Sequence, residues 1–192
     1  MCSSDLSVVT NGKQLERQIA YVLEELGRPA LVEEYIEGDE YDVSIIGNDE
    51  TLRVLPLNRS TFTHMPEGYW HIYAYDAKWE DKKSPYWYIE EECPARIPKK
   101  LSSLITEISI DTYNILDCHD YGRVELRVDK DGNPFVLELN PNPSINCGDC
   151  VPECGQVVGM HYEDFIDEIV HLAIQRYKGA PAYHHLQNVM TF

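Results

Sequence analysis

The sequence predicts an α+β fold in which helices pack on an antiparallel sheet, and three observations carry that reading. Three stretches place apolar residues at helical spacing. Several short runs alternate apolar and polar residues between turn signals, and no glycine-rich loop of the GxGxxG or GxxxxGK[ST] type occurs. The 192 residues are 43% hydrophobic, enough for one globular domain, or one domain and part of another, with a sizeable core.

In chain order, Met1 to Leu6 (MCSSDL) starts no element that the rest needs and reads like a translated sequencing adapter, so residues 1–6 are expected to be a non-native leader. Leu15, Ile19, Val22, Leu23 and Leu26 then recur at helical spacing until Gly27 and Pro29 stop them. ALVEEYI (30–36), EYDVSIIG (40–47) and TLRVLPLN (51–58) read as three strands joined by short turns, most simply as an antiparallel meander. Residues 60–98, crowded with Tyr, Trp and Pro and lacking a clear period, are expected to form a long, partly ordered loop. A second helical stripe runs through Leu101, Leu104, Ile105, Ile108, Thr112, Ile115 and Leu116. A third begins near His161 with Phe165, Ile166, Ile169, Val170 and Ala173 on one face, and a polar tail follows Gly179.

Between the last two helices, residues 123–144 read RVELRVDKDGNPFVLELNPNPS. Two alternating runs flank Asp131-Gly132, a strong hairpin signal. With those two residues as the loop, Lys130 faces Asn133, and counting outward sets Arg127 opposite Val136, Glu125 opposite Glu138, and Arg123 opposite Asn140. Like charges facing each other across a ladder destabilise it. Two facing carboxylates are tolerated if one takes up a proton or if a cation lies between them, and oxygen-only donors favour Mg2+ or Mn2+. The plainer alternative is a solvated face on which Arg123 and Arg127 pair with the acids. The continuation Asn140-Pro141-Asn142-Pro143 is a rigid extended exit that pins Asn140 at the strand end.

A formal net charge of -17 makes nucleic acid a poor partner, and an anionic substrate would need local cations, of which Mg2+ is the obvious one. No run is long and apolar enough for a bilayer and no charged-then-apolar leader opens the chain, so a soluble cytoplasmic protein with no membrane partner is expected. The six cysteines, at 2, 93, 118, 147, 150 and 154, are then expected as thiols.

The hairpin residues resemble a known signature. Arg123-Val-Glu125, a turn, and Leu137-Glu138-Leu-Asn140-Pro-Asn-Pro143 are similar to the metal-binding hairpin of the ATP-grasp ligases, D-alanyl-D-alanine ligase branch. In matching order, Leu31 to Glu40 (LVEEYIEGDE) resembles that branch's adenine and ribose segment, Tyr75-Asp76-Ala77-Lys78-Trp79 its loop lysine, and Cys93-Pro94-Ala95 the segment after that loop. The resemblance implies an ATP-dependent carboxylate–amine ligase that forms an amide through an acyl phosphate, acting on a small amino acid or peptide, with a homodimer as one expected assembly. It also implies ATP and Mg2+ (or Mn2+) as cofactors. Glu138 would bridge two ions, Glu125 would hold one and Asn140 the other. Arg123 would sit beside the transferring phosphoryl group, and Lys78 would contact ATP phosphate. Glu33 would meet the adenine amino group, the backbone of Glu34 and Ile36 the adenine edge, and Glu40 the ribose hydroxyls. On this reading residues 7–58 end the central ATP-grasp subdomain, 59–178 form the carboxy-terminal one and 179–192 are a tail. The chain would be an amino-terminally truncated fragment, inactive or nearly so by itself.

Two departures stand out. Glu125 replaces the commoner Asp, and the substrate-end segment Ser144 to Gly155 (SINCGDCVPECG) is rich in cysteine where the family favours Gly, Met, Ser and Thr. An ATP-grasp ligase with other substrates is therefore an alternative. A noncatalytic metal-binding module is another, with Cys147, Cys150 and Cys154 (CxxCxxxC) and a fourth ligand from Cys93, Cys118 or His161.

Overall fold

The computed structural model describes residues 8–72 and 88–178. The expected leader at 1–6, the loop lysine Lys78 and the tail at 179–192 lie outside the described residues.

Helix α1 (Gly12–Glu24) begins where Asn11, extended and thus outside the helix, accepts the Gln14 backbone N–H at 3.0 Å on its side chain. Its stripe is as expected, yet no residue of α1 is buried, and Leu23 and Leu26 are exposed. Residues 31–37 then form neither helix nor strand, so the expected strand ALVEEYI does not form. Alternation supplies a face but not a partner. Both edges of the next strand, β1 (Gly38–Ile46), are already taken.

On one edge lie β2 (Arg53–Val54) and β3 (Asn58–Thr61), with Ile45 facing Val54 and Glu40 facing Ser60. They are the expected third strand split at Pro56, which has no N–H to give the ladder. On the other edge lies β5 (Tyr121–Asp129), paired along the whole length of β1. The expected 60–98 loop contains a strand, β4 (Glu90–Glu92), paired with β3. With β6 (Pro134–Asn140) the antiparallel order is β4-β3-β1-β5-β6, with β2 also on β1. The meander of consecutive strands is thus replaced by a sheet whose central pair, β1 and β5, is distant in sequence.

Strand alternation sorts this sheet into two faces. Tyr41, Val43 and Ile45 of β1 and Val124, Leu126 and Val128 of β5 pack on Ile105 and Tyr113 of helix α2 (Lys99–Ile115). Tyr113 donates its hydroxyl to the Gly47 carbonyl at 3.2 Å, which satisfies a buried polar tip. The other face carries charge, except at one end. There Ile46, with Leu55, packs on Val151 and Cys154 of helix α3 (Cys150–Val157) and Phe165 and Leu172 of helix α4 (Tyr162–Lys178).

Helix α3 begins inside the cysteine-rich substrate-end segment, for which the sequence shows no helical stripe. Pro152 is tolerated because it falls in the first turn, where an N–H would have no helical partner. No helix among the described residues is long and apolar enough to cross a membrane.

Candidate functional site

The β5–β6 hairpin sets Glu125 opposite Glu138 and Arg123 opposite Asn140, as the sequence predicts. The route to that register is different. Val128 faces Pro134 and the Asp129 N–H bonds to the Asn133 carbonyl at 3.1 Å, so the loop is the three residues Lys130-Asp131-Gly132, with Gly132 at φ 83°. Asp129 fixes the loop by accepting the N–H groups of Asp131 and Asn133, both at 2.9 Å. Arg127 consequently faces Phe135 rather than the expected Val136. A bulge between Glu125 and Leu126 then leaves Leu137 as an extra residue on β6 and restores Glu125 to Glu138.

Because β5 pairs with β1, the charged face is wider than the hairpin alone. Asp42 faces Glu125, Ser44 faces Arg123 and Glu40 faces Arg127. Asp42 is the residue of this charged face that sequence reasoning missed. Its signal was present in the alternation Glu40-x-Asp42-x-Ser44, but only a β1–β5 pairing brings it to the hairpin.

The acids and cations of this face are interlocked. Arg123 donates from Nε to Glu125 Oε1 at 3.1 Å and lies 3.2 Å from Asp42 Oδ1, and its Nη2 bonds to the same Glu125 oxygen. Burial works against the guanidinium charge, but Asp42 and Glu125 more than offset it and hold Arg123 protonated. Burial is also the main cause that pushes the Asp42 carboxyl up to about 6. Arg123 opposes that rise, and Glu125, Glu40 and Glu91 reinforce it. A raised carboxylate makes the folded state bind more protons than the unfolded one, so stability is expected to fall as pH rises from about 4 to about 6 and to level off above that. Asp42→Asn should flatten this slope in urea titrations at a series of pH values; an unchanged slope would assign it to other groups.

The Glu138 side chain is exposed and makes no hydrogen bond or ion pair among the described residues. Asn140 turns its Oδ1 back to accept the Asn142 N–H at 3.0 Å, which anchors the Asn-Pro-Asn-Pro exit. The donors of Glu125, Glu138 and Asn140 are all oxygen on neighbouring ladder positions, a set that fits a hard divalent cation. No three His, Cys, Asp or Glu side chains among the described residues are gathered into a metal cage. Glu125 is engaged by Arg123 instead.

At the other end of the same face, Arg127 is 4% exposed and donates to Glu40 Oε1 at 2.8 Å, to the Gly38 carbonyl at 2.7 Å and to the His71 carbonyl at 2.5 Å. Its guanidinium lies 5.4 Å from the Tyr35 ring centroid and 5.6 Å from that of Phe62. Tyr35 stacks edge-on against Trp70 and donates to Glu37 Oε2 at 2.7 Å. Burial and the bond to Glu37 push the Tyr35 hydroxyl up to about 12. Arg127 thus ties the segment at 31–37 to the sheet. Glu33 and Glu34 stay exposed there, Ile36 is half-buried, and Leu31 is 82% exposed.

The cysteines divide. Cys118 is buried in the α2 core, far in topology from the rest, and Cys147 is exposed before α3. Cys93 and Cys154 meet with sulfurs 3.5 Å apart, and Cys150 Sγ lies 3.9 Å from Asp42 Oδ2.

Comparison with known proteins returns a consistent answer. The family model for the D-ala D-ala ligase C-terminus matches residues 2–171. The uncharacterized protein y4sG of Sinorhizobium fredii is 33% identical over 177 residues, 92% of this chain and 50% of that protein. The D-alanine–D-alanine ligase of Pelotomaculum thermopropionicum is 32% identical over 146 residues, 76% of this chain and 42% of that protein. Among solved structures, the D-alanine–D-alanine ligase of Bacillus anthracis superposes with a TM-score of 0.70 at 26% identity, covering 91% of this chain and 52% of that one. The ligase of Coxiella burnetii superposes at 0.72 over 98% of this chain and 47% of that one, and at 17% identity it attests the fold alone. The chain spans about half the length of the curated relatives it matches.

Proposed function

Since the chain belongs to the D-ala D-ala ligase C-terminal family, within the ATP-grasp fold, we propose that it supplies the metal- and phosphate-handling half of an ATP-dependent carboxylate–amine ligase acting on small amino acids. The observation that carries this reading is the ladder placing Glu125 against Glu138 with Arg123 against Asn140 one step out.

In the proposed reaction a substrate carboxylate takes the γ-phosphoryl group of ATP, giving an acyl phosphate and ADP. An amine then displaces phosphate and forms the amide. Bound Mg2+ would neutralise charge on the phosphate oxygens, held by Glu138 between two ions, by Glu125 at one and by Asn140 at the other. Arg123 is prepared for its part, since it stays protonated and is oriented by Asp42 and Glu125. Its guanidinium would stabilise the charge that spreads over the transferring group. Lys78 would add a second cation at the ATP phosphates. Glu33, with the backbone of Glu34 and Ile36, would bind the adenine, and Glu40, fixed by Arg127, the ribose. A cytoplasmic place for this chemistry is part of the same proposal.

The test is ADP release by the longest reading frame that carries this chain, with Mg-ATP and a panel of D- and L-amino acids. Release that depends on Mg2+ and on an amino acid is expected. No turnover with any amino acid of the panel would sink the small-amino-acid reading. The second reading, an ATP-grasp ligase for other substrates, is favoured by the cysteine-bearing α3 in the substrate-end segment. It predicts turnover only with carboxylates or amines outside that panel.

A further inference from the structure

The three thiols nearest the acidic face form a chain of contacts that the ligase reading does not use. Cys154 is 1% exposed on α3, and its sulfur lies 3.5 Å from that of Cys93, which follows β4. Cys150, one turn earlier on α3, has its sulfur 3.9 Å from Asp42 Oδ2, on the charged face. Cys93 also lines a cleft of about 490 Å3, together with Asn58, Glu91, Glu153, Gln156 and Val157. A thiol pair in contact, with one member reachable from solvent and the other sealed, is the arrangement that thiol–disulfide exchange needs.

We propose that Cys93 and Cys154 are an oxidative modification site, closed to a disulfide by exchange with a small neutral or cationic disulfide that enters the cleft. The sulfurs need to approach by only about 1.5 Å to reach bonding distance. The division of labour follows from the contacts. The hydrogen bond with Cys154 pulls Cys93 below the ordinary thiol range, whereas the neighbouring Cys150 and Cys93 thiols, with burial, hold the proton on Cys154. Cys93, as the thiolate, attacks one sulfur of the small disulfide, forming a mixed disulfide and releasing one small thiolate. Cys154 then attacks the Cys93 sulfur, its proton passes to the departing second thiolate, and the protein disulfide is complete. Two protein thiols are oxidised, one small disulfide is reduced to two thiols, and nothing else is consumed. Glu91 and Glu153 beside the cleft set the preference: both work against negative charge at Cys93, so they disfavour an anionic reagent.

The experiment treats the full chain with cystamine or with oxidised glutathione, blocks remaining thiols with iodoacetamide, and maps peptides by mass. Cystamine is expected to give a Cys93–Cys154 cross-link two hydrogens lighter than the separate peptides, at least tenfold faster than oxidised glutathione does. Cys93→Ser is expected to abolish that cross-link, and Cys147→Ser to leave it in place. Only mixed disulfides, on Cys147 or elsewhere, would overturn the proposal, as would a cross-link joining other cysteines. Because the decisive map is made on the unsubstituted protein, failure of a variant to fold leaves the result intact. The outcome is also independent of ATP turnover, so it stands or falls apart from the ligase reading.

Discussion

Glutamine at position 138 is expected to lower Mg2+-dependent ADP release by a factor of about 100 or more while leaving the fold at least as stable as before. Both halves follow from where Glu138 stands. It faces Glu125 on the ladder, is exposed, and its side chain has no hydrogen bond or ion pair among the described residues. In the absence of a cation, two carboxylates in register repel each other, so removing one should stabilise the hairpin by about 0.2–1 kcal/mol. Glutamine keeps the shape and one carbonyl oxygen but loses the charge that a bridging ligand requires. Glu125 is a poorer position for this test because it also orients Arg123, and Glu125→Gln would mix loss of a metal ligand with release of the guanidinium. ADP release measured with Mg2+, alongside urea unfolding without it, separates the two effects. Full activity in Glu138→Gln would remove the metal role from this residue. A large loss of stability would show that Glu138 holds the fold together.

The sequence marks legibly which face each strand residue occupies, and much less legibly which strands meet. Counting from a two-residue turn sets Glu125 opposite Glu138. The chain uses three residues there, and the extra residue at Leu137 compensates, so two irregularities cancel at the site and show only nearer the turn, at Arg127. A bulge leaves no compositional mark in PFVLELN that alternation could reveal. Asp42 is hidden for a different reason: its neighbour Glu125 is more than eighty positions away, and local patterns hold no record of that pairing. Residues 31–37 have the alternation of a strand but no free edge beside them. Helix α3 has eight residues with Pro152 and Gly155 inside it, too short and interrupted for a stripe. The long stripes of α2 and α4 are readable because each buries one face against a sheet or helix.

Arg127→Met is expected to cost about 3–5 kcal/mol of unfolding free energy, the largest loss anticipated for a single change on the charged face. Arg127 is 4% exposed, and its guanidinium bonds at once to Glu40, the Gly38 carbonyl and the His71 carbonyl while lying beside the Tyr35 and Phe62 rings. Methionine fills much of the volume but supplies no donor, so two carbonyls lose a bond and the Glu40 carboxylate loses its cation. Much of the penalty should therefore come from the loss of a cation beside the Glu40 carboxylate. Adding Glu40→Gln to Arg127→Met is expected to recover stability, whereas the two changes would simply add if the sites were independent. Arg127→Lys restores charge but not the fork that reaches two carbonyls and a carboxylate together, and should fall between. The same contacts hold residues 31–37 in place through Tyr35. In a reading frame that turns over ATP, Arg127→Lys should thus raise the KM for ATP more than it lowers kcat. Urea titrations giving a loss below about 1 kcal/mol for Arg127→Met would mean that the guanidinium is solvated and replaceable, and that the segment at 31–37 is held by something else.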